Sequence, residues 1–207
     1  MDLEQVAAAT PIEPRVATDS RFIERLKQGE SAAYEMLVAE RSGEIYGLLY
    51  RLTENSEEAR DLTQETFLRA FQNIGSFRGE SDLRTWLYRI AINQARNRWR
   101  WWRRRRRDKT VSLDSPDAQG NKPLLDTLRA ERGQTPEQDT LAHEREQALR
   151  SALQSLSQAY RETVILRDIE GFSYEEIAQT LGVNVGTVKS RLARGRQELR
   201  QRLEGSL

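Results

Sequence analysis

The chain has 207 residues, with 33 Lys or Arg against 32 Asp or Glu, one His and no Cys. Disulfides, thiolate metal sites and cysteine nucleophiles are therefore excluded, and net charge alone draws the chain to no nucleic acid. Its hydrophobic fraction of 37% beside 31% charged residues suits modest helical cores rather than a thick multilayered sheet, and its length admits two small domains.

Residues 1–18 are polar, contain Pro11 and Pro14 and read as a flexible arm. No apolar leader and no run of membrane-spanning length follows, which predicts a soluble, cytoplasmic chain with no membrane insertion. Phe22, Ile23 and Leu26 predict a short helix stopped by Gly29. Tyr34, Leu37, Val38, Ile45, Leu48, Leu49 and Leu52 continue at helical spacing. Asn55 can cap a third helix, with Glu58 completing a capping box. At 100° per residue its Ala59, Leu62, Thr66, Phe67 and Ala70 share one face, and Asp61, Gln64, Glu65 and Leu68 the other. Glu57 and Glu58 read as a solvated or docking face.

After the loop Asn73–Glu80, a fourth helix opens near Ser81 or Asp82. It buries Leu83, Trp86, Leu87, Ile90 and Ala91 and carries Arg89 and Arg96 outside. Nine Lys or Arg lie between Arg96 and Lys109 against the single acid Asp108, and Trp99, Trp101 and Trp102 are interleaved with Arg98, Arg100 and Arg103. Aromatic faces stack on unpaired bases at roughly 1–3 kcal/mol each while guanidinium groups hold the phosphates, so this segment suits opening DNA. Arg103 to Arg107 also suit a helix C-terminus. Residues 108–139 are rich in Asp, Ser, Pro, Gly and Gln and read as a flexible linker. The linker's Leu124, Leu125 and Leu128 are assigned no site.

Helical spacing returns in residues 140–207 through Leu149, Leu153, Leu156, Val164, Ile165 and Ile169. Ser173 to Leu192 then has the pattern of a helix-turn-helix: small Ala178 where two helices cross, Gly182 for the turn and Asn184 as cap of the second helix. On that helix Val188, Leu192, Gly195 and Leu199 point inward. Gly186, Lys189, Ser190 and Ala193 point outward, flanked by Thr187, Arg191 and Arg194, with six Lys or Arg between Gly186 and Arg202 against Glu198. Small residues permit approach to a groove, Lys189 and Ser190 can reach base edges, and the flanking residues can hold phosphates. The expected fold is all-α, two small helical domains (19–107 and 140–207) joined by the linker.

Asp61-Leu-Thr-Gln-Glu-Thr-Phe-Leu-Arg-Ala-Phe, Ser76-Phe-Arg-Gly-Glu-Ser, Thr85-Trp-Leu-Tyr-Arg-Ile-Ala-Ile-Asn and Ser173 to Leu192, in that order, resemble bacterial sigma factors of the extracytoplasmic-function group. The resemblance implies a transcription-initiation subunit that binds core RNA polymerase and promoter DNA and is held by an anti-sigma factor. It implies that Asp61, Gln64, Glu65 and Leu68 dock on the clamp helices of the polymerase, and that Phe77 and its neighbours, with Asn93, hold a base flipped from the minus-ten element. Arg78, Tyr88, Arg89, Arg96, Trp99, Arg100 and Arg103 would contact the opening duplex. Gly186, Thr187, Lys189, Ser190, Arg191, Ala193 and Arg194 would read or grip the minus-thirty-five element. Gly195 stands where alanine is common in the family, and a mid-helix glycine costs about 1 kcal/mol, so a less rigid recognition helix is expected.

An ordinary helix-turn-helix regulator would carry a ligand pocket, phosphoacceptor or dimer interface in its first half, where this chain has an acidic face and aromatic residues. A nucleic-acid enzyme would need a phosphate-binding loop, a His-Glu-x-x-His pair or a nucleophile. The single His143 stands among Glu144, Arg145 and Glu146 and is read as structural. No catalytic residue, metal, cofactor or small-molecule substrate is expected.

Overall fold

The computed structural model describes residues 20–108 and 147–204, with side chains as far as Arg105 in the first stretch. The arm, the linker with its three leucines, residues 140–146 and the side chains of Arg106 and Arg107 lie outside the described residues.

Helix α1 (Ser20–Lys27) buries Phe22 and Leu26, and Gly29 at φ +75° reverses the chain where a side chain would be strained. Helix α2 (Ser31–Thr53) buries Leu37, Ile45, Leu48 and Leu49. Asn55 caps α3 (Ser56–Asn73) by accepting the Glu58 N–H at 2.9 Å. The expected return arm of the capping box does not form. The Asn55 N–H goes to Thr53 Oγ1, and the Glu58 carboxylate accepts from Trp102 Nε1 at 3.3 Å and lies 3.9 Å from Arg98. Glu58 thus ties the start of α3 to the far end of α4 (Leu83–Asp108), which begins where Asp82 accepts the Arg84 N–H at 2.7 Å.

The second half opens with α5 (147–155), followed by α6 (Gln158–Val164), which continues into a single π-turn over Ile165–Ile169. Helix α7 (Tyr174–Leu181) has a complete capping box: Ser173 Oγ accepts the Glu176 N–H, and Glu176 accepts the Ser173 N–H at 2.7 Å. Gly182 at φ +68° turns the chain, and Asn184 Oδ1 accepts the Thr187 N–H at 2.7 Å to cap α8 (Val185–Glu204).

Helices α2, α3 and α4 pack on one another, α6 and α7 each pack on α8, and α4 also lies against α7. One apolar core consequently runs through both halves. The two small helical domains expected from the sequence are present, and they meet: Phe172, fully buried, and Tyr88, 1% exposed, cover one another with ring centroids 4.7 Å apart.

Gly195 also has a packing reason. A Cβ there would stand 2.9 Å from Val164 Cγ2 and 3.2 Å from Tyr160 Cβ, so the missing side chain is what lets α8 lie directly on α6. Gly195→Ala gains up to about 1 kcal/mol of helix propensity but overpacks at a cost of roughly 1–3 kcal/mol against a stiff β-branched neighbour. A lowered Tm is expected, and Val164→Ala should restore part of it in the Gly195→Ala background while destabilising the parent. A Tm raised by Gly195→Ala alone would contradict the close-approach account.

Candidate nucleic-acid interface

The face of α8 divides by position. Val188 and Leu192 are buried with Gly195 against α6 and α7, which leaves Gly186, Lys189, Ser190, Ala193 and Arg194 exposed and Thr187 and Arg191 half-buried. Lys189 Nζ lies 5.9 Å from the Tyr174 ring centroid and the Arg167 guanidinium 5.0 Å from it. Two cations therefore flank the helix through a ring that sequence periodicity does not single out. Asp168 pairs with Arg196, which directs that arginine back toward the π-turn. The exposed strip presents small residues and donors with its backbone buried behind it, the form needed to enter a major groove.

On α3 the buried positions are Ala59, Leu62, Thr63, Thr66, Phe67 and Ala70. Asp61, Gln64 and Leu68 are exposed, Leu68 to 51%, and Glu65 is half-buried beside Arg69 at 2.7 Å. They border a groove of about 630 Å³ between α3 and α4, whose other wall is Gln94, Asn97, Arg98 and Trp101. Trp101 therefore faces the α3 groove, whereas Trp99 and Trp102 face a second cleft, of about 550 Å³, shared with Gln154, Leu156 and Arg161 of the other half. Trp101 and Trp102 nevertheless touch edge to face, ring centroids 4.9 Å apart, so the pair bridges the two clefts at the end of α4.

Along α4, Arg89, Asn93 and Arg100 are exposed, and so is Arg78 in the preceding loop. Arg103 lies over the Trp99 ring at 5.2 Å and Arg105 over Trp101 at 4.2 Å, which preserves exposed aromatic edges next to fixed positive charge. Three candidates sit elsewhere than expected. Phe77 is 4% exposed and packs on Trp86, ring centroids 5.3 Å apart, so its ring is part of the core under the loop and is not open to a base. Tyr88 is enclosed between the halves. Arg96 is engaged by Glu162, with Nε at 3.0 and 3.1 Å and Nη2 at 2.5 Å from the carboxylate.

The contact between the halves is polar as well as aromatic. Glu170 accepts from Arg51 Nη1 at 2.8 Å and from Tyr88 Oη at 2.6 Å, while Arg84 Nη2 donates to its backbone oxygen at 3.0 Å. Burial, reinforced by the Glu170 charge and its hydrogen bond, pushes the Tyr88 phenol well above its ordinary range, so it stays a donor. Arg84 also covers Phe172 at 4.4 Å. Arg161 donates to the carbonyls of Leu153, Gln154, Leu156 and Leu52, closing the end of α5 and reaching α2. None of Arg84, Arg161, Glu162, Glu170 and Phe172 carries a motif, and only the glycine before Phe172 hints at a departure from helix.

Family models for Sigma-70 region 2 and Sigma-70, region 4 match residues 37–107 and 146–199, the two halves that carry the α3–α4 groove and the exposed α8 strip. Such a pair defines the class of sigma-70-type initiation factors. The chain is 36% identical over 187 residues to the RNA polymerase sigma-H factor of Pseudomonas aeruginosa, covering 90% of this chain and 94% of that one. It is 34% identical over 199 residues to the ECF RNA polymerase sigma-E factor of Haemophilus influenzae, covering 90% and 96%. It is also similar to the sigma factor RpoE from Bartonella quintana, solved in complex with the anti-sigma factor NepR, with TM-score 0.62 and 28% identity over 83% of this chain and 96% of that one. The chain belongs to the extracytoplasmic-function sigma factors, which bind core RNA polymerase, direct it to promoters and are not enzymes. Among the described residues no helix is long and apolar enough to cross a membrane.

Proposed function

We propose that the two halves divide promoter recognition at the residue level. The outer face of α3, with Asp61, Gln64, Glu65 and Leu68, docks on core polymerase. Residues Arg78, Arg89, Asn93, Trp99, Arg100 and Arg103 take the opening minus-ten region, joined by Tyr88 and Arg96 when the halves part, with Phe77 supporting the loop from beneath. Gly186, Thr187, Lys189, Ser190, Arg191, Ala193 and Arg194 take the minus-thirty-five element as duplex. Residues 108–139 join the two units. The protein works in the cytoplasm, and an anti-sigma protein, as seen with the Bartonella relative, holds it there in reserve.

The single observation that carries this reading is the strip on α8, where small and basic side chains stand exposed over a buried apolar seam. A regulator that never meets polymerase would have no use for the Leu68 and Asp61 face of α3. The experiment is transcription reconstituted from the purified chain and core polymerase on a promoter library. Specific starts are expected, and tight duplex binding by the chain with no specific start would favour the regulator reading.

Within that assay Lys189→Ala should lose about 1–3 kcal/mol of discrimination at one base position of the minus-thirty-five element. Arg194→Ala should weaken all sequences alike and reduce the salt slope by about one. Binding to promoter variants across a salt series separates the two, and equal effects from both substitutions would contradict the division between reading and gripping.

A further inference from the structure

We propose that the groove between α1 and the loop ahead of α4 grips the backbone of single-stranded DNA, and that it takes the strand as it leaves the minus-ten region. This rests on the assignment of that loop and of the outer face of α4 to minus-ten DNA. It brings in α1, an element to which that assignment gives no part.

Helix α1 has two unlike sides. Phe22 and Leu26 are buried in the core. The other side, from Ile23 and Lys27 round to Glu24 and Arg21, is one wall of a groove of about 450 Å³, and Phe77 and Arg78 of the loop stand opposite. The floor is apolar, because Ile23 is half-buried and Phe77 is 4% exposed. The rim is charged, with Arg21, Lys27 and Arg78 all exposed.

Three cations against the single acid Glu24 leave the rim with an excess of positive charge. The remaining cation of α1, Arg25, is directed elsewhere: Glu30 holds it through two hydrogen bonds, at 2.6 and 2.7 Å. Arg78 meets Glu80 only at 3.9 Å, with side chains 82% and 80% exposed, a pair too long and too open to compete with phosphate. Arg21 and Lys27 are six residues apart, about 9 Å along the helix axis, which matches about two phosphates at the roughly 3.4 Å spacing of one strand. A sugar or base face can lie on Ile23 while the phosphates meet the rim. The groove is also continuous with the face assigned to opening DNA, since Arg78 belongs to both and α4, with Arg89 and Asn93 exposed, begins at Leu83. Side chains suited to telling one base from another are few, so the grip is on the backbone and independent of sequence.

The test is binding of forked minus-ten DNA by the full chain with core polymerase, read by anisotropy. One fork ends at the minus-ten element, and the other continues as a short unpaired tail of oligo-dT. Arg21→Gln with Lys27→Gln should bind the tailed fork about tenfold more weakly than the parent does, and the untailed fork equally well. On the tailed fork the salt slope should fall by about 1.4, two phosphates at about 0.7 each. Arg21→Lys with Lys27→Arg, which keeps both charges, should match the parent, and an oligo-dA tail should behave as the dT tail does. Both positions are exposed, and the untailed fork serves as the control for folding. The proposal is overturned if the Gln variant weakens on both forks alike, on neither, or on one tail sequence alone. It is overturned as well if that variant loses affinity for core polymerase without DNA, which would give the groove to a protein contact. A parent that fails to bind the untailed fork would instead overturn the minus-ten assignment on which the proposal rests.

Discussion

Asp61→Arg should abolish promoter-directed transcription while leaving the fold and the duplex binding of α8 intact. Asp61 is exposed on α3, so its replacement disturbs no core contact and should move stability by no more than about 0.5 kcal/mol. Its effect falls on the partner. It borders the α3–α4 groove together with Gln64, Glu65 and Leu68, and a reversed charge within the proposed docking patch should cost what a strong interface residue contributes, roughly 2–4 kcal/mol. That corresponds to a loss of core affinity of about 30-fold to 1,000-fold. Titration of a labelled chain with core polymerase measures it, and binding of the same variant to minus-thirty-five duplex is the control. Parallel loss of both would place Asp61 in the fold rather than in the docking face.

The second large effect is expected at Arg161. Its Nε donates to Leu153 O at 3.0 Å, one Nη to Leu156 O at 3.2 Å and also to Gln154 O, and the other Nη to Leu52 O at 3.4 Å. These are the carbonyls at the end of α5 and near the end of α2, the groups a helix terminus leaves without partners. Burial pulls the guanidinium pKa below its ordinary value, opposed by the charges of Glu54 and Glu162. Arg161→Met keeps the apolar stem and removes every donor, orphaning several carbonyls at about 1–3 kcal/mol for the most enclosed, so a total loss of about 3 kcal/mol is expected in urea unfolding. Arg161→Lys restores the charge but not the fork and should recover less than half of it. A loss under about 1 kcal/mol for Arg161→Met would show that water replaces the guanidinium at these carbonyls, and the account would fall.

What could be read from sequence was local. Asn55, Gly182 and Asn184 act within three or four residues of themselves, and each sits where the pattern places it. The inward and outward positions of α3 and α8 follow from a 100° step alone. The joint between the halves was not legible, because Tyr88 and Glu170 are 82 residues apart and Arg96 and Glu162 are 66 apart. An acid on a helix looks solvated until the surface it meets is known. Phe77 misled for a related reason: its loop has no period from which burial could be inferred. The tryptophans were legible after all. Trp99 and Trp102 lie about 60° apart on a helical projection and Trp101 about 160° from Trp99, so spacing alone puts Trp101 on another side.

The π-turn at Ile165–Ile169 gives the second half a strict requirement of length. The Glu170 N–H reaches back five residues to Ile165 O at 3.0 Å, and the Phe172 N–H reaches Leu166 O at 2.9 Å around Gly171. Removing one residue here would tighten the coil to an ordinary turn and rotate everything downstream by about 100°, swinging Glu170, Phe172 and the whole of α8 away from their present bearings. Asp168 and Ile169, both exposed, can vary in identity at little cost, yet neither can be deleted. In this stretch the number of residues is constrained far more tightly than their kind.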